Sequence, residues 1–268
     1  MVSELHDPRR MIREAVILAA GKGTRIRVNP ADLPKPLQLV EGRSLLDRTI
    51  DSLVGAGIRR VHVVTGYRGD EVREALAARQ NDHRRRGFSV VTVENPEYEL
   101  GNGVSVLAAR ARVLGPFLLS MADHVYEPGM ARAAASADLA SADLHLCVDR
   151  RLASVYDLDD ATKVVTQGGR IREIGKQLVD YDCVDCGVFA ATPALFCALD
   201  EVRRNTGDCS LSDGVRALAR RGRAAVIDVG TSFWQDVDTQ GARLVAERQL
   251  RMRNRRAVSA RFVQHATA

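Results

Sequence analysis

Short apolar runs alternate with amphipathic stretches along the first half of the chain. Residues 14–20 read Glu-Ala-Val-Ile-Leu-Ala-Ala, an almost unbroken apolar run of strand length. A strand apolar at successive positions is covered on both faces, as in a parallel sheet. Ser44 stands where it can cap a helix whose apolar positions Leu45, Leu46, Ile50, Leu53 and Val54 share one face, with Gly57 closing it. Residues 61–65 predict a second strand, and Asp70 a cap for a helix over 71–79. The polar run 80–87 predicts a surface loop and residues 88–93 a third strand. A helix over 104–114 and a strand over 117–122 follow. Strands and helices in this alternation predict right-handed βαβ units and a parallel sheet.

From about residue 144 the pattern changes. Residues 144–148 predict a strand, and 163–166 with 170–174 flank Gly168-Gly169 as a hairpin with a primed turn. Residues 184–190 predict another strand. Ser210 and Asp213 form a capping box for a helix to about 221, and a strand over 224–229 follows. Residues 233–238 predict an extended segment leading into a final helix from 239 to about 253. The expected fold is therefore α/β, a Rossmann-like and mostly parallel twisted sheet flanked by helices, with a smaller α+β lid over a second substrate. Residues 1–13 are expected to be an N-terminal arm, 14–247 one domain and 248–268 a basic C-terminal tail.

Composition narrows this picture. The apolar share of 46% is that of a globular protein, and 268 residues suffice for one large or two small domains. No apolar run reaches the ~20 residues needed to span a membrane, and the polar start has no signal-like apolar core. The expected location is cytoplasmic. The five cysteines are odd in number and scattered, which fits reduced thiols. Cys183-Val-Asp-Cys186 has no second pair for zinc and lies within a strand, so it reads as structural. The net charge is +5, yet six arginines and no acid follow from Arg248 onward, which leaves about −1 for the remainder. That tail lacks aromatic interleaving or any nucleic-acid motif, so no nucleic-acid partner is expected.

The chemistry concentrates where the first strand ends. Leu18-Ala-Ala-Gly-Lys-Gly-Thr-Arg25 is followed by Lys35 within Leu33-Pro-Lys-Pro-Leu37. Gly21 and Gly23 let backbone N–H groups turn towards an anion, while Lys22, Arg25 and Lys35 bring positive charge. The Walker spacing is absent, and Ile26 stands where a dinucleotide fingerprint needs its third glycine. A nucleoside triphosphate is the simplest polyanion for such a loop.

Further along, Gly101-Asn102-Gly103 opens a helix and could admit an anion or a flat base, the Asn102 amide both donating and accepting. A turn with an N-cap accounts for the same residues. Asp123 directly follows a strand, at the carboxyl end where such sheets bind ligands, and its natural work beside a triphosphate is to hold Mg²⁺. His124 reads as a structural or orienting group. Asp236 and Asp238 form a second carboxylate pair, one of which could complete the Mg²⁺ site. Lys163 and Lys176 are the cations best placed for a substrate phosphate.

The compound loop motif resembles that of nucleotidyltransferases. Asn95-Pro with Gly101-Asn-Gly, Ser120-Met-Ala-Asp-His-Val-Tyr126, Val148-Asp-Arg150, Ala161-Thr-Lys-Val164, Ile174-Gly-Lys176, Cys183-Val-Asp-Cys-Gly-Val-Phe189, Leu211-Ser-Asp213 and Trp234-Gln-Asp-Val-Asp-Thr239 together resemble the CTP:inositol-1-phosphate cytidylyltransferase family over about residues 14–250. The resemblance implies a nucleotide-diphospho-sugar transferase type of fold. It implies that Leu18, Ala19, Ala20, Gly21, Lys22, Gly23 and Thr24 hold the triphosphate of CTP, with Arg25 and Lys35 on the reacting phosphates. Gly101, Asn102 and Gly103 would face the cytosine, and Asp123 and Asp238 would hold Mg²⁺. Asp149, Lys163, Lys176, Asp185 and Gly187 would lie by the acceptor, myo-inositol-1-phosphate. That family occurs alone or fused to a membrane CDP-alcohol phosphotransferase, so association with such an enzyme, and a homodimer, are among the partners it implies. Rival readings are another small phosphate or phosphonate acceptor, a sugar-1-phosphate uridylyl- or thymidylyltransferase, or an inactive nucleotide-sensing scaffold subunit.

Overall fold

The structure is a computed structural model that describes residues 12–29 and 31–266, with side chains through Arg255. Nine strands form its one large sheet: β1 (Glu14–Ala19), β2 (Arg60–Thr65), β3 (Ser89–Glu94), β4 (Phe117–Met121), β5 (Leu144–Asp149), β6 (Lys163–Gln167), β7 (Arg170–Gly175), β8 (Cys183–Ala191) and β9 (Ala224–Asp228). Their spatial order is β3-β2-β1-β4-β8-β5-β9-β7-β6. In β1 the buried side chains alternate between two cores. Val16 and Leu18 pack on one face with Val64, Phe117 and Phe189, and Ala15 and Ile17 on the other with Leu53, Val63 and Leu118. Cover on both faces is why the run is apolar throughout.

The first half follows the expected βαβ logic. The helix Leu45–Gly55 links β1 to β2, and the helix Gly69–Ala77 precedes β3, each strand parallel to its neighbour. The chain then crosses back through the helix Asn102–Ala108 to place β4 on the other side of β1, again parallel. The reversal of direction beside β1 creates a crevice at the carboxyl ends of β1 and β4, where ligands bind in sheets of this kind.

The expected mostly parallel sheet is corrected by the second half. Four strand pairings are parallel and five antiparallel, so the sheet is mixed. The cause is local. The loops joining β6 to β7 and β7 to β8 are too short for a parallel crossover, so the chain must return antiparallel. The hairpin belongs to the same sheet, because β7 pairs with β9 and β6 with the start of β8.

Local expectations hold where a side chain does the capping. Ser44 accepts from the Asp47 N–H, and Ser210 with Asp213 forms the full capping box, each such cap contributing about 1 kcal/mol. Asp70 is different: Arg68 takes the N-cap position in the left-handed region, and Asp70 sits in the first turn. The run 80–87 holds a short helix, Gln80–Arg85. The helix expected over 104–114 ends at Ala108, and Leu114 lies on the surface. The last helix runs farther than expected, Gln240–Ala266. Arg251 pairs with Glu41 at 2.6 Å, and Arg253 pairs with Glu127 and lies over the Phe233 ring. The arm expected over 1–13 falls outside the described residues except for Ile12, which is buried, and Arg13, whose carbonyl accepts from the Arg59 and Arg60 N–H groups. Among the described residues no helix is long and apolar enough to cross a membrane.

Two buried histidines make stability depend on pH. Neither ring nitrogen of His62 finds a hydrogen-bond partner, nor does Nδ1 of His145, and burial lowers both pKa values from the ordinary 6.5. Glu14, Arg60 and Arg112 face His62, and the two arginines add to the lowering. Below the unfolded pKa of about 6.5 the unfolded chain binds protons that the folded chain refuses. The contribution of these two residues is therefore fully present above that pH and is lost as pH drops below it. Chemical denaturation at each pH should show the midpoint falling over this window, and His62→Leu should flatten the fall. An unchanged slope in that variant would remove His62 from the account.

Candidate functional site

Two segments leave the sheet side by side at the crevice. Leu18 pairs with Met121 in the parallel register, so residues 20–25 after β1 and Asp123-His124 after β4 emerge at one edge. Gly23 adopts φ +57°, and a Cβ there would run into the side chain of Lys35. The glycine thus lets the loop close directly over that lysine. Lys35 sits on a single 3₁₀ turn between Pro34 and Pro36 and is 8% exposed.

Its ammonium lies between two carboxylates, 2.5 Å from Asp123 and also paired with Asp238. Arg25 reaches Asp160 at 2.8 Å and pairs with Asp238 as well, while Lys176 holds the other oxygen of Asp160 at 2.8 Å. Three of the five cations expected to meet phosphate groups, Arg25, Lys35 and Lys176, are thereby collected in one network across the crevice. Burial alone would raise the Asp123 pKa, but the Lys35 charge and the His124 hydrogen bond hold it well below the usual carboxylate range.

Asp238 arrives by a route that sequence order hides. The strand Trp234–Asp236 pairs antiparallel with His124–Tyr126, which sets Asp236 opposite His124. His124 Nδ1 donates to Asp123 Oδ1 over 2.8 Å, and its ring stacks on Trp234 at 6.0 Å and 12°. Burial opposes charge on His124, yet the Asp236, Asp123 and Asp185 carboxylates raise it to about 9. Beneath the ring lies Gly187, at φ +72°, where a Cβ would collide with the imidazole. Burial raises Asp185 to about 6, and its Oδ1 accepts from the Gly187 N–H.

The network separates two connected hollows. The smaller, about 160 Å³, is lined by Leu18, Ala19, Ala20, Gly21 and Lys35 on one side and by Tyr98, Leu100, Asn102 and Ser105 on the other. The larger, about 620 Å³, takes in Asp149, Lys176, Asp185, Gly187 and Trp234. Asp149 is bound by the Arg151 guanidinium and by the Trp234 indole N–H at 2.8 Å. Of the expected acceptor residues, Lys163 stands apart: it is buried and donates to the Asp159 carbonyl at 2.5 Å. Lys22 pairs on the surface with Glu99 at 2.5 Å, and Thr24 is exposed. Gly101 and Gly103 have a packing reason to be glycine, because a Cβ at either would strike the Cys209 carbonyl. Cys183 and Cys186 are free and buried, and burial raises both thiols, so the pair is part of the core.

Tyr98, Ser105, Asp160 and Trp234 are functional candidates that spacing alone did not single out. Tyr98 and Ser105 flank the Gly101-Asn-Gly motif, which is the one signal that could have found them. Asp160 has no sequence signal at all.

A metal's place can be tested on the donors. Ligand atoms of Asp123, His124 and Asp236 lie within 4.8 Å of one another, as do those of Asp160, Asp236 and Asp238. Oδ1 of Asp236 is buried without any partner, and burial raises its pKa. A buried orphan oxygen among carboxylates is a coordination site for a hard divalent cation, so the residues fit one. Asp236 is the member common to both groups, and Asp123 and Asp238 do not fall in one group together.

Comparison with known proteins agrees with this geometry. A family model described as a MobA-like NTP transferase domain matches residues 15–221. The chain is 39% identical over 250 residues to the bifunctional IPC transferase and DIPP synthase of Rubrobacter xylanophilus, covering 90% of this chain and 53% of that protein. It is 33% identical over 168 residues to the 2-aminoethylphosphonate cytidylyltransferase of Lancefieldella rimae, covering 58% and 60% of the two chains. The solved inositol-1-phosphate CTP transferase from T. maritima superposes with a TM-score of 0.76 at 30% identity, over 87% of this chain and 92% of that one. The chain spans about half the length of the bifunctional relatives it matches. Loop, crevice, carboxylates and these likenesses together make the chain a nucleotidyltransferase of the MobA-like NTP transferase family.

Proposed function

We propose that the chain joins CTP to myo-inositol-1-phosphate, forming CDP-inositol and releasing pyrophosphate. The observation that carries this reading is Lys35, held under the glycine loop and between Asp123 and Asp238 where the two hollows meet. The two likenesses at 30% and 39% identity support it. An oxygen of the acceptor phosphate attacks the α-phosphorus of CTP. A new P–O bond forms there, the bond to the β-phosphate breaks, and pyrophosphate leaves with the electron pair. The acceptor phosphate is already ionised at neutral pH, so no side-chain nucleophile is required.

The protein's work is then positioning and charge neutralisation. The N–H groups of residues 21–25 and the Arg25 guanidinium take the departing phosphates, and Lys35 takes charge at the α-phosphoryl group. Lys176 and Arg151 are the cations of the larger hollow that meet the acceptor phosphate. Asp185 offers an oxygen to a ring hydroxyl, and the Trp234 face offers an apolar surface to the ring. The donors Asp123 and Asp236, with Asp238 beside them, would hold Mg²⁺, which would supply a further neutralising charge on the phosphates. The strands β5 to β9 and the loop 150–162 serve as the cover of the acceptor side. Residues 14–247 constitute the catalytic unit, with 248–268 a basic appendage.

The Lancefieldella relative favours a second reading, the same chemistry on a small phosphonate acceptor. The test is Mg²⁺-dependent pyrophosphate release from CTP against myo-inositol-1-phosphate, glucose-1-phosphate, phosphocholine and 2-hydroxyethylphosphonate. Turnover confined to inositol phosphate is the expected result. Release with a phosphonate alone moves the acceptor, and no release with any acceptor overturns the activity.

A further inference from the structure

Two amides fix the hydrogen-bonding polarity of the smaller hollow. Asn95 is 2% exposed, and its amide orientation is decided by the backbone. The Glu97 N–H donates to Asn95 Oδ1 at 3.0 Å, so Nδ2 must face the other way, where it donates to Ser105 Oγ at 3.0 Å. The Ser105 hydroxyl therefore receives one hydrogen bond, and among the described residues no acceptor takes its own proton. Ser105 lines the hollow, so that proton is available to whatever enters.

Asn102 is oriented in the same manner. The Leu211 N–H donates to Asn102 Oδ1 at 2.7 Å, which uses the acceptor end of the amide and leaves its NH₂. Asn102 also lines the hollow. The wall thus offers two donors. The adjacent N3 and O2 of cytosine are both acceptors, whereas N3 of uracil carries a proton. Against that proton the Ser105 hydroxyl would have to present its remaining lone pair and turn its own proton away, where no acceptor among the described residues takes it, and a hydroxyl proton left unpaired in a dry site is disfavoured.

We propose that Ser105, oriented by Asn95, reads N3 of the pyrimidine and makes the site select CTP over UTP. The inference rests on the nucleotidyltransferase reading, and it names the residue that determines the nucleotide. It also carries a signed consequence. In Asn95→Asp one carboxylate oxygen still accepts from Glu97, but the other accepts from the Ser105 hydroxyl. Ser105 then shows only lone pairs to the base, which suits the N3–H of uracil.

The test is calorimetric binding of CTP and of UTP in Mg²⁺, which needs no acceptor. The wild type is expected to favour CTP by at least about tenfold, with Ser105→Ala bringing the ratio to within about threefold, the size of a lost hydrogen bond. Ser105→Thr, which keeps the hydroxyl, should retain the preference, and Asn95→Asp should shift it towards UTP. Thermal unfolding checks that each variant is folded, and the threonine variant serves if alanine is not. A wild type without preference, or a Ser105→Ala protein with the wild-type ratio, overturns the inference. A wild type that selects CTP yet releases no pyrophosphate with any acceptor overturns the proposed reaction while sustaining the reading of Ser105. Binding of neither nucleotide overturns both.

Discussion

Lys35→Ala should lower kcat by about 10²–10³-fold, the usual cost of one preorganised electrostatic contact. Among the described residues Lys35 is the one cation held at once by the glycine loop and by two carboxylates. It needs no reorganisation when charge develops on the α-phosphoryl group, because turn and loop already fix its side chain. The substitution does not strand its partners. Asp123 keeps its bond to His124, and Asp238 keeps Arg25. The fold should survive, and a thermal melt verifies that. The Asp123 pKa should rise, since burial pushes it upward and the Lys35 charge is the largest force against that. Pyrophosphate release under saturating CTP measures the effect, and a kcat within threefold of wild type would remove Lys35 from the chemistry.

Gly187→Ala should damage the acceptor side while sparing the nucleotide side. The backbone there is left-handed at φ +72°, which costs an alanine about 1–2 kcal/mol. The larger effect is steric. The new Cβ would occupy the space of the His124 ring, which has Trp234 on another side and cannot slide freely. Displacing the ring breaks its bond to Asp123, so one side chain on β8 disturbs a carboxylate after β4. The expected outcome is a protein less stable by about 2 kcal/mol or more, with turnover reduced at least tenfold. CTP affinity should change less than turnover, because Gly187 does not line the smaller hollow and Asp123, which does, keeps its pairing with Lys35. A variant with wild-type stability and kcat would show that the slot is not needed.

Much of the candidate site was legible because it is assembled from local motifs. The glycine loop, Lys35, Asp123 and the carboxylates near the end stand in short motifs whose residue types follow from anion and cation binding. The strands were legible for a similar reason, since a both-sided core demands an unbroken apolar run. Leu114 marks the limit of that logic, because an apolar residue in a helical register turned out to face solvent. Lys163 marks another. A lysine in a plausible motif is buried and donates to the carbonyl of Asp159, four residues before it.

The sequence by itself determined the βαβ beginning, the position of the glycine loop after the first strand, the capped helices and the supply of acids that could meet a cation. Only the tertiary structure decided that the sheet is mixed, that Asp160 reaches Arg25, that Asp236 stands opposite His124, and that Asn95 orients Ser105. The physical reason is separation along the chain. A motif is read from neighbours whose backbone geometry is set by their own side chains. Asp160 and Arg25 are 135 residues apart, so their meeting depends on strand order and register, which the burial of many distant side chains sets together.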